Sequence, residues 1–415
     1  MAGFIELLRT GAWLTRERVR LVALALLAAF VLGAGFLIAT SNGLNDRFGR
    51  PLGTDFSNVY AAGSYVLDGE PAAPFDPARQ FAREQTIFGQ ATQFYGWHYP
   101  PFFLGLAGLL ATMPYWLALI AWQGVTLLLY LLAMRAIVSP HPEVASDRLW
   151  LLLALAFPAV FINLGQAHNG FLTAALIGAA LTQLDRRPLV AGMLIGLLAY
   201  KPQFGPLIPL VLIATGRWRV FAAAAATAAV MTIAVTLAFG VDVWSAFLAT
   251  GKFTRTVVLE QGGTGWYKIQ SVFSWVRMWG GGLALAYAAQ GAVMLAVAAA
   301  LIWLWRSPAA FPLKAAGLLI GSLLATPYSL DYDLMLLAPA IAYLALDGFA
   351  RGFGAYEKTI LAALWIVPLV ARSVPQATLI PLAVPVMLLA FVLLLRRAMK
   401  EAGGAQAGSV LRRAL

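Results

Sequence analysis

The chain has 415 residues, of which 61% are hydrophobic and only 11% are charged. A soluble domain carries roughly a quarter of its residues as charged side chains, so the solvent for most of this chain is lipid. Its net charge of +11 lies in short clusters between apolar stretches, which argues against nucleic acid as a partner, and the lack of cysteine excludes disulfides and thiolate chemistry.

Apolar runs of spanning length predict an all-α, polytopic transmembrane bundle with about twelve spans. The first, 20–40, is too long for the apolar core of a signal peptide and is expected to be retained. The stretch 189–215 is interrupted by Lys201 and three prolines, and charge parity favours two short spans with Lys201 at their outer turn. The remaining predicted spans are 115–138, 149–164, 168–184, 220–240, 283–305, 311–327, 332–346, 359–370 and 377–395.

A long loop, 41–98, separates the first two spans and is predicted to lie outside. Asp55 precedes a run with the apolar spacing of an amphipathic helix, and Asp76-Pro77 is typical of the start of a second one. We expect these two helices to lie parallel to the membrane and to roof the bundle. The short apolar stretch 99–112 is predicted to dip in from the same side.

Charge sets the predicted orientation. With twelve spans, both termini are cytoplasmic and most of the 29 Lys and Arg residues fall in inner segments, as the positive-inside rule requires. Residues 1–400 then form one transmembrane domain with a second outer loop at 241–277, and 401–415 is expected to be a disordered cytoplasmic tail. This orientation places the polar clusters on the outer side: 53–55, 98–101, 163–169, 201–203, 242–277 and 326–333.

The order of these motifs resembles the GT-C superfamily of membrane glycosyltransferases. A retained first span, a long outer loop with an early aspartate, two surface helices and a Tyr-Pro-Pro entry all contribute to the likeness. Within that superfamily the chain is similar to the polyprenyl-phosphate-mannose-dependent family. The segments that carry this likeness are Gly53-Thr54-Asp55-Phe56, Tyr99-Pro100-Pro101, Gly165-Gln166 with Asn169, Lys201-Pro202 and Thr326-Pro327-Tyr328-Ser329.

The resemblance implies transfer of a sugar from a polyprenyl phosphate carrier to a glycolipid or glycan acceptor at the outer face. The family's base, an acidic residue early in the first outer loop, corresponds here to Asp55. Its alternative role is the N-cap of the helix that follows. Where relatives often carry histidines after the Ser-Pro-like turn, this chain has Asp331-Tyr332-Asp333, a departure that affects the acceptor side of the site.

Three residues are candidates for the donor phosphate: Lys201, His98 and Tyr99. An unpaired ammonium between two apolar stretches would be costly, which makes a phosphate a plausible partner for Lys201. The alternative is a lysine that snorkels to the outer interface. His98 is equally compatible with an ordinary interfacial hydrogen bond.

The candidates for binding the sugar or the acceptor are polar residues at the outer ends of the spans. Such residues also hold transmembrane helices together, and that alternative stays open. Asp331 and Asp333 form a D-x-D pattern that suits a divalent ion, but a single-phosphate leaving group does not require one, so we expect no metal and no cofactor. The candidates are Asn163, Gln166, Asn169, Gln203, Tyr328, Asp331 and Asp333.

The sequence therefore favours an inverting glycosyltransferase of the bacterial cytoplasmic membrane that acts at its outer, periplasmic face. Mannose is the default sugar, and membrane lipids surround the bundle. A transporter or flippase of lipid-linked sugars is the rival from another class, although it has no obvious need of the long outer loop. A polymerase or ligase of lipid-linked glycans is a third alternative, since Arg47, Arg50, Arg79 and Arg83 lie in that loop.

Overall fold

A computed structural model describes the backbone of residues 2–414 and the side chains of residues 3–403. Within these residues the regular elements are helices, and β-structure is limited to isolated bridges. The all-α prediction is confirmed. The prediction of a disordered tail at 401–415 falls mainly on positions 404–415, which lie outside the described side chains, and it stays a prediction.

The first half of the chain carries the long outer loop and the helices that surround it. Its α-helices are α1 (Ala2–Thr10), α2 (Arg16–Ala39), α3 (Phe56–Leu67), α4 (Pro77–Phe88), α5 (Leu104–Ala111), α6 (Tyr115–Val138), α7 (Pro142–Ala145), α8 (Leu149–Leu155), α9 (Pro158–Gln166) and α10 (Gly170–Gln183). Several of these helices begin at a proline, whose fixed φ suits the first helical position.

The second half completes the bundle. Its α-helices are α11 (Pro188–Leu197), α12 (Leu207–Ala214), α13 (Trp218–Phe239), α14 (Asp242–Phe253), α15 (Val272–Met278), α16 (Leu283–Arg306), α17 (Phe311–Ala325), α18 (Leu337–Arg351), α19 (Glu357–Val370), α20 (Ser373–Thr378) and α21 (Ala383–Ala414). Short 3₁₀ turns at Leu198–Tyr200 and Pro202–Phe204 flank Lys201, so the interrupted stretch is two short helices joined at that residue, as predicted.

Each predicted span coincides with a helix or a helix pair. Five helices are long and apolar enough to cross a membrane, and a sixth span results if α8 and α9, bent by 44°, are counted as one. The five are α2, α6, α13, α16 and the continuous helix Asp331–Arg351, which joins a 3₁₀ turn to α18. The other predicted spans fall on shorter helices and on α21, and for these the crossing of a membrane stays a prediction.

The ends of these helices form two separate polar networks. At one end, arginine-rich loops pair with acidic groups: Arg16 with Asp147 (2.7 Å) and Arg217 with Asp185 (2.6 Å). At the other end, the first outer loop, the α9–α10 turn and the turn before α18 contact one another. The helices connect one network to the other, and the side of the membrane on which each network lies stays a prediction.

The outer loop contains the two predicted helices, α3 and α4. Asp76 caps α4, because its side chain accepts the backbone N–H groups of Ala78 and Arg79. The amphipathic pattern of α3 was an incomplete guide, since most of its residues are buried. Gly63, a member of the predicted apolar face, packs on α5, where a Cβ would collide with the carbonyl of Ala107. Ser57, Asn58 and Ala61, which lie off that face, are buried as well.

Candidate active site

The loop that carries Asp55 is fixed against the turn between α9 and α10. The backbone N–H of Asp55 donates to the carbonyl of Gln166 (2.9 Å). Gly53 has φ +68°, and a Cβ there would press into Leu119 and Ala167, so the contact requires glycine. Two motifs far apart in the sequence, Gly53-Thr54-Asp55 and Gly165-Gln166, therefore meet through backbone contacts.

The side chain of Asp55 is half-buried and does not cap α3, although the residue occupies the N-cap position. Its carboxylate forms no hydrogen bond with the part of the chain that the structure describes. Burial raises the pKa of Asp55 to about 7, against the opposing charges of Arg372, Lys268 and Lys201. The group is thus poised to exchange a proton near neutral pH.

The turn Asp331-Tyr332-Asp333 joins three other elements at the site. Asp331 holds Arg372 by two contacts, Oδ2 to Nε (2.5 Å) and Oδ1 to Nη2 (3.0 Å). The Tyr332 ring stacks on His168 with centroids 3.4 Å apart. Asp333 pairs through Oδ1 with Lys201 Nζ (2.5 Å) and accepts the N–H of Leu330 through Oδ2 (3.0 Å).

The two aspartates of the D-x-D pattern are therefore engaged by different cations. Among the described residues, no group of three or more His, Asp or Glu side chains is placed to hold a metal ion. Carboxylates that already pair with Arg372 and Lys201 lose much of their attraction for a divalent cation. Each of the two negative charges beside Tyr332 is balanced by one of these cations.

Lys201 is buried and paired, which corrects one premise of the sequence argument. Its ammonium donates to Asp333 and to Asn169 Oδ1 (2.7 Å), and it lies 5.4 Å from the centre of the Tyr332 ring. This ammonium was expected to require a partner, for which a phosphate was offered, whereas the structure supplies Asp333 from a distant part of the chain. The snorkelling alternative for Lys201 fails, since its side chain is enclosed.

The polar residues of the α9–α10 region have distinct roles. Asn163 donates to the carbonyls of Ala159 and Tyr332 and accepts the N–H of Gly170, so its hydrogen-bonding capacity is used within the fold. Gln166 contributes its backbone carbonyl to Asp55. Asn169, in contrast, accepts from Lys201 while its Nδ2 is buried with no partner in the described structure.

Gln203 and Tyr328 are half-buried at the same end of the bundle. Neither side chain forms a hydrogen bond within the described residues, whereas the backbone N–H of Tyr328 donates to Thr326 Oγ1 (3.1 Å). Both are therefore able to contact a ligand without breaking an existing bond.

His98 and Tyr99 connect the first outer loop to the rest of the site. His98 Nδ1 contacts Thr254 Oγ1 (2.9 Å) in the second outer loop, and the Tyr99 hydroxyl contacts His168 Nε2 (3.1 Å). Burial lowers the pKa of His98 to about 4, so the ring is neutral at pH 7. His98 can therefore meet an anion through a hydrogen bond but not through charge.

Sequence reasoning missed Arg372, which follows α19 and faces Asp55 across the site. The signal was present, because Arg372 is an isolated cation in a short turn on the predicted outer side, where the positive-inside rule disfavours arginine. Three arginines of the long loop 41–98 are instead paired with carboxylates of that same loop. Arg50 pairs with Asp46, Arg79 with Glu70 and Arg83 with Asp68.

Fold and site together define a polytopic helical membrane protein with a cluster of buried charged and polar groups around Asp55, Lys201 and Asp333. The chain belongs to glycosyltransferase family 87, whose family model matches residues 97–327, more than half of the 415 residues. It is accordingly a membrane-embedded glycosyltransferase. The matched range includes His98, Asn169 and Lys201, whereas Asp55 and Arg372 lie outside it. No curated protein and no solved structure matches the chain.

Proposed function

We propose that this glycosyltransferase is a GT-C enzyme that moves a sugar, mannose by default, from a polyprenyl phosphate carrier to a lipid or glycan acceptor. In this proposal the reaction inverts the anomeric centre and takes place at the outer face of the bacterial cytoplasmic membrane. The observation that carries the proposal is the Asp55 carboxylate, half-buried, without a hydrogen-bond partner in the described structure, and faced by cations.

Asp55 acts as the general base. The acceptor hydroxyl loses its proton as its oxygen attacks the anomeric carbon, and the bond from that carbon to the phosphate oxygen breaks. A base works best when its pKa lies near the working pH, and burial raises the pKa of Asp55 to about 7. A carboxylate already bonded to a helix N-terminus would be a weaker acceptor, and Asp55 carries no such bond.

The departing phosphate requires positive charge or N–H donors close by. Arg372 supports this role because its side chain is 38% exposed, while one edge of the guanidinium is fixed by Asp331. Lys268 approaches from the second outer loop and is half-buried. Lys201 is buried and paired with Asp333, so it contributes through the network more than by direct contact. His98 and Tyr99 add hydrogen bonds.

The sugar and the acceptor meet the polar groups that have free capacity. Asn169 supports a sugar contact because its buried Nδ2 has no partner in the described residues, and Gln203 and Tyr328 lie at the same end. Asn163 is not suited to this role, because its amide is saturated by backbone groups. The assignment of the reaction to the outer side of the membrane rests on the positive-inside distribution of Lys and Arg.

The first test is transfer of labelled mannose from synthetic polyprenyl-phosphate-mannose to membrane lipids by the purified protein. We expect Asp55→Asn to lower the rate at least about 100-fold, the scale of a lost general base, and to preserve the fold. Asp76→Asn is the matched control, since it lies in the same loop and asparagine still caps a helix.

Two results would contradict the proposal. Transfer by Asp55→Asn at the wild-type rate would exclude Asp55 as the base. No transfer from any polyprenyl phosphate sugar would exclude the donor class, and movement of the intact lipid across vesicles would then favour the flippase alternative. The anomeric configuration of the product, read by NMR coupling constants, tests inversion independently.

A further inference from the structure

Glu84 is a buried carboxylate that the proposed chemistry does not use. Its side chain is fully enclosed in α4. Within residues 3–403 no Lys, Arg or His lies at salt-bridge distance from it, so it receives only hydrogen bonds from neutral donors. A carboxylate buried without a cation is costly unless its oxygens are well satisfied, which points to a specific role.

The donors to Glu84 come from the segment that leads into the site. Oε2 accepts the backbone N–H of Tyr95 (3.0 Å), and Oε1 accepts the N–H of Gly96 (3.1 Å). Gln80 supplies a third donor to Oε1 (3.2 Å) and fixes the cluster to the Asn58 carbonyl of α3 (3.0 Å). One side chain thus binds two successive backbone amides of 95–96.

The segment 93–99 has no regular secondary structure, so it lacks the repeating bonds that hold a helix or a strand. Gly96 adopts φ +66°, and a Cβ there would lie 3.1 Å from His98 Nε2. A Cβ there would also lie 2.6 Å from the Phe94 ring, so Gly96 packs closely between Phe94 and His98. The bonds from Glu84 hold the backbone at this close contact.

His98 and Tyr99 transmit this placement to the rest of the site. His98 contacts Thr254 of the second outer loop, and Tyr99 contacts His168, which stacks on Tyr332. The pKa of Glu84 is raised to about 7, chiefly by burial and to a smaller extent by the nearby charge of Asp55. The Glu84 carboxylate therefore supports one wall of the site without facing the ligand.

We propose that Glu84 is a positioning residue that fixes 95–99 so that His98 and Tyr99 face the donor phosphate. This inference rests on the proposed function for its choice of ligand, whereas the clamp itself rests on geometry alone. Loss of the clamp should loosen the segment and weaken donor binding, and it should leave the base Asp55 in place.

The clamp is tested without any activity measurement. Hydrogen–deuterium exchange of the full-length protein in detergent, followed by mass spectrometry, reports on the peptide 94–99. We expect exchange at Tyr95 and Gly96 to be at least about tenfold faster in Glu84→Ala and faster to a lesser degree in Glu84→Gln, which retains one oxygen. Glu70→Gln, a surface residue of the same loop, is the matched control and should exchange as the wild type does.

The link to the donor is tested by kinetics and a double-mutant cycle. Glu84→Gln should raise the KM for polyprenyl-phosphate-mannose roughly tenfold with little change in kcat. Its effect should shrink when His98 is already alanine and vanish when His98→Ala is combined with Tyr99→Phe. A residue that only stabilised the fold would give additive effects. Unchanged exchange at 94–99 would overturn the clamp, and faster exchange with an unchanged KM would overturn its link to the donor. Both results are independent of the mannose-transfer assay with Asp55→Asn.

Discussion

Asp55 and Asp76 each stand immediately before a helix of the same outer loop, and their surroundings separate their roles. Asp76 is exposed and bonds two N–H groups of its own helix. Asp55 is half-buried, leaves its helix uncapped, and faces Arg372 and Lys268. Residue type and sequence position were the same in both cases, so the sequence alone could not decide between a cap and a base.

The charges around Asp55 predict how the reaction depends on pH. Burial raises the pKa of Asp55 to about 7, and the base form is the carboxylate, so kcat/KM should rise with pH and level off above about 7. Arg372→Gln removes an opposing positive charge and leaves Asp331 unpaired. Both changes raise the pKa of Asp55 further, so the acidic limb of the kcat/KM profile against pH should move to higher pH.

Initial rates measured between pH 5 and about 9 would show this shift. Arg372→Lys is the control, because it retains the charge but loses the two-point contact, and its limb should move less. An acidic limb that stays in place in Arg372→Gln would mean that the titrating group is not Asp55.

At the scale of elements, the start of α10 packs closely against α9 and the 331–333 turn. A Cβ on Gly170 would lie 2.3 Å from Asn163 Oδ1 and 2.7 Å from the Tyr332 carbonyl. We therefore expect Gly170→Ala to destabilise the protein by about 1–3 kcal/mol, the usual cost of overpacking, and to disturb the Gln166 carbonyl that holds Asp55.

Thermal unfolding in detergent measures this effect. Gly124→Ala in α6 is the matched control, because a Cβ there meets nothing within 4 Å and alanine favours the helix. It should unfold at or slightly above the wild-type temperature. Equal stability of Gly170→Ala and Gly124→Ala would refute the close approach of α9, α10 and the 331–333 turn.

The positions of the helices were predictable from sequence because apolar runs mark them, and proline and Lys201 mark the break between α11 and α12. The pairing of Lys201 with Asp333 and of Arg372 with Asp331 was not, since each joins residues whose separation in sequence carries no local signal. The full burial of α3 was missed for a related reason, because residues outside its apolar face, such as Asn58 and Ala61, carry no local signal of the neighbours that bury them.

At the scale of the whole molecule, the arginine-rich end contains a buried ion network that fastens the last helices together. Asp347, which is 2% exposed, pairs with Arg351 of its own helix and with Arg397 of α21 (2.6 Å). Arg397 also reaches Glu357 at the start of α19 (2.6 Å). The Arg397 guanidinium thus joins three helices, α18, α19 and α21, through two carboxylates.

We expect Asp347→Asn to lower the free energy of unfolding by about 1–3 kcal/mol, because it removes a buried charged partner of Arg397, which keeps its pair with Glu357. Thermal unfolding with a folding-sensitive probe would measure it. Glu6→Gln, which breaks the exposed Glu6–Arg9 pair, is the control and should leave the unfolding temperature unchanged. A small effect of Asp347→Asn would show that solvent compensates the charges at this end.

The dispersal of the site along the chain has a consequence for biogenesis. Asp55 is synthesised with the first helices, whereas Arg372 follows only in the turn before α20, and a chain is made from its N-terminus. During synthesis Asp55 therefore stands without its main counter-charge until nearly all of the protein has emerged. In the mechanism that we propose, a chain that ends before Arg372 should transfer no sugar.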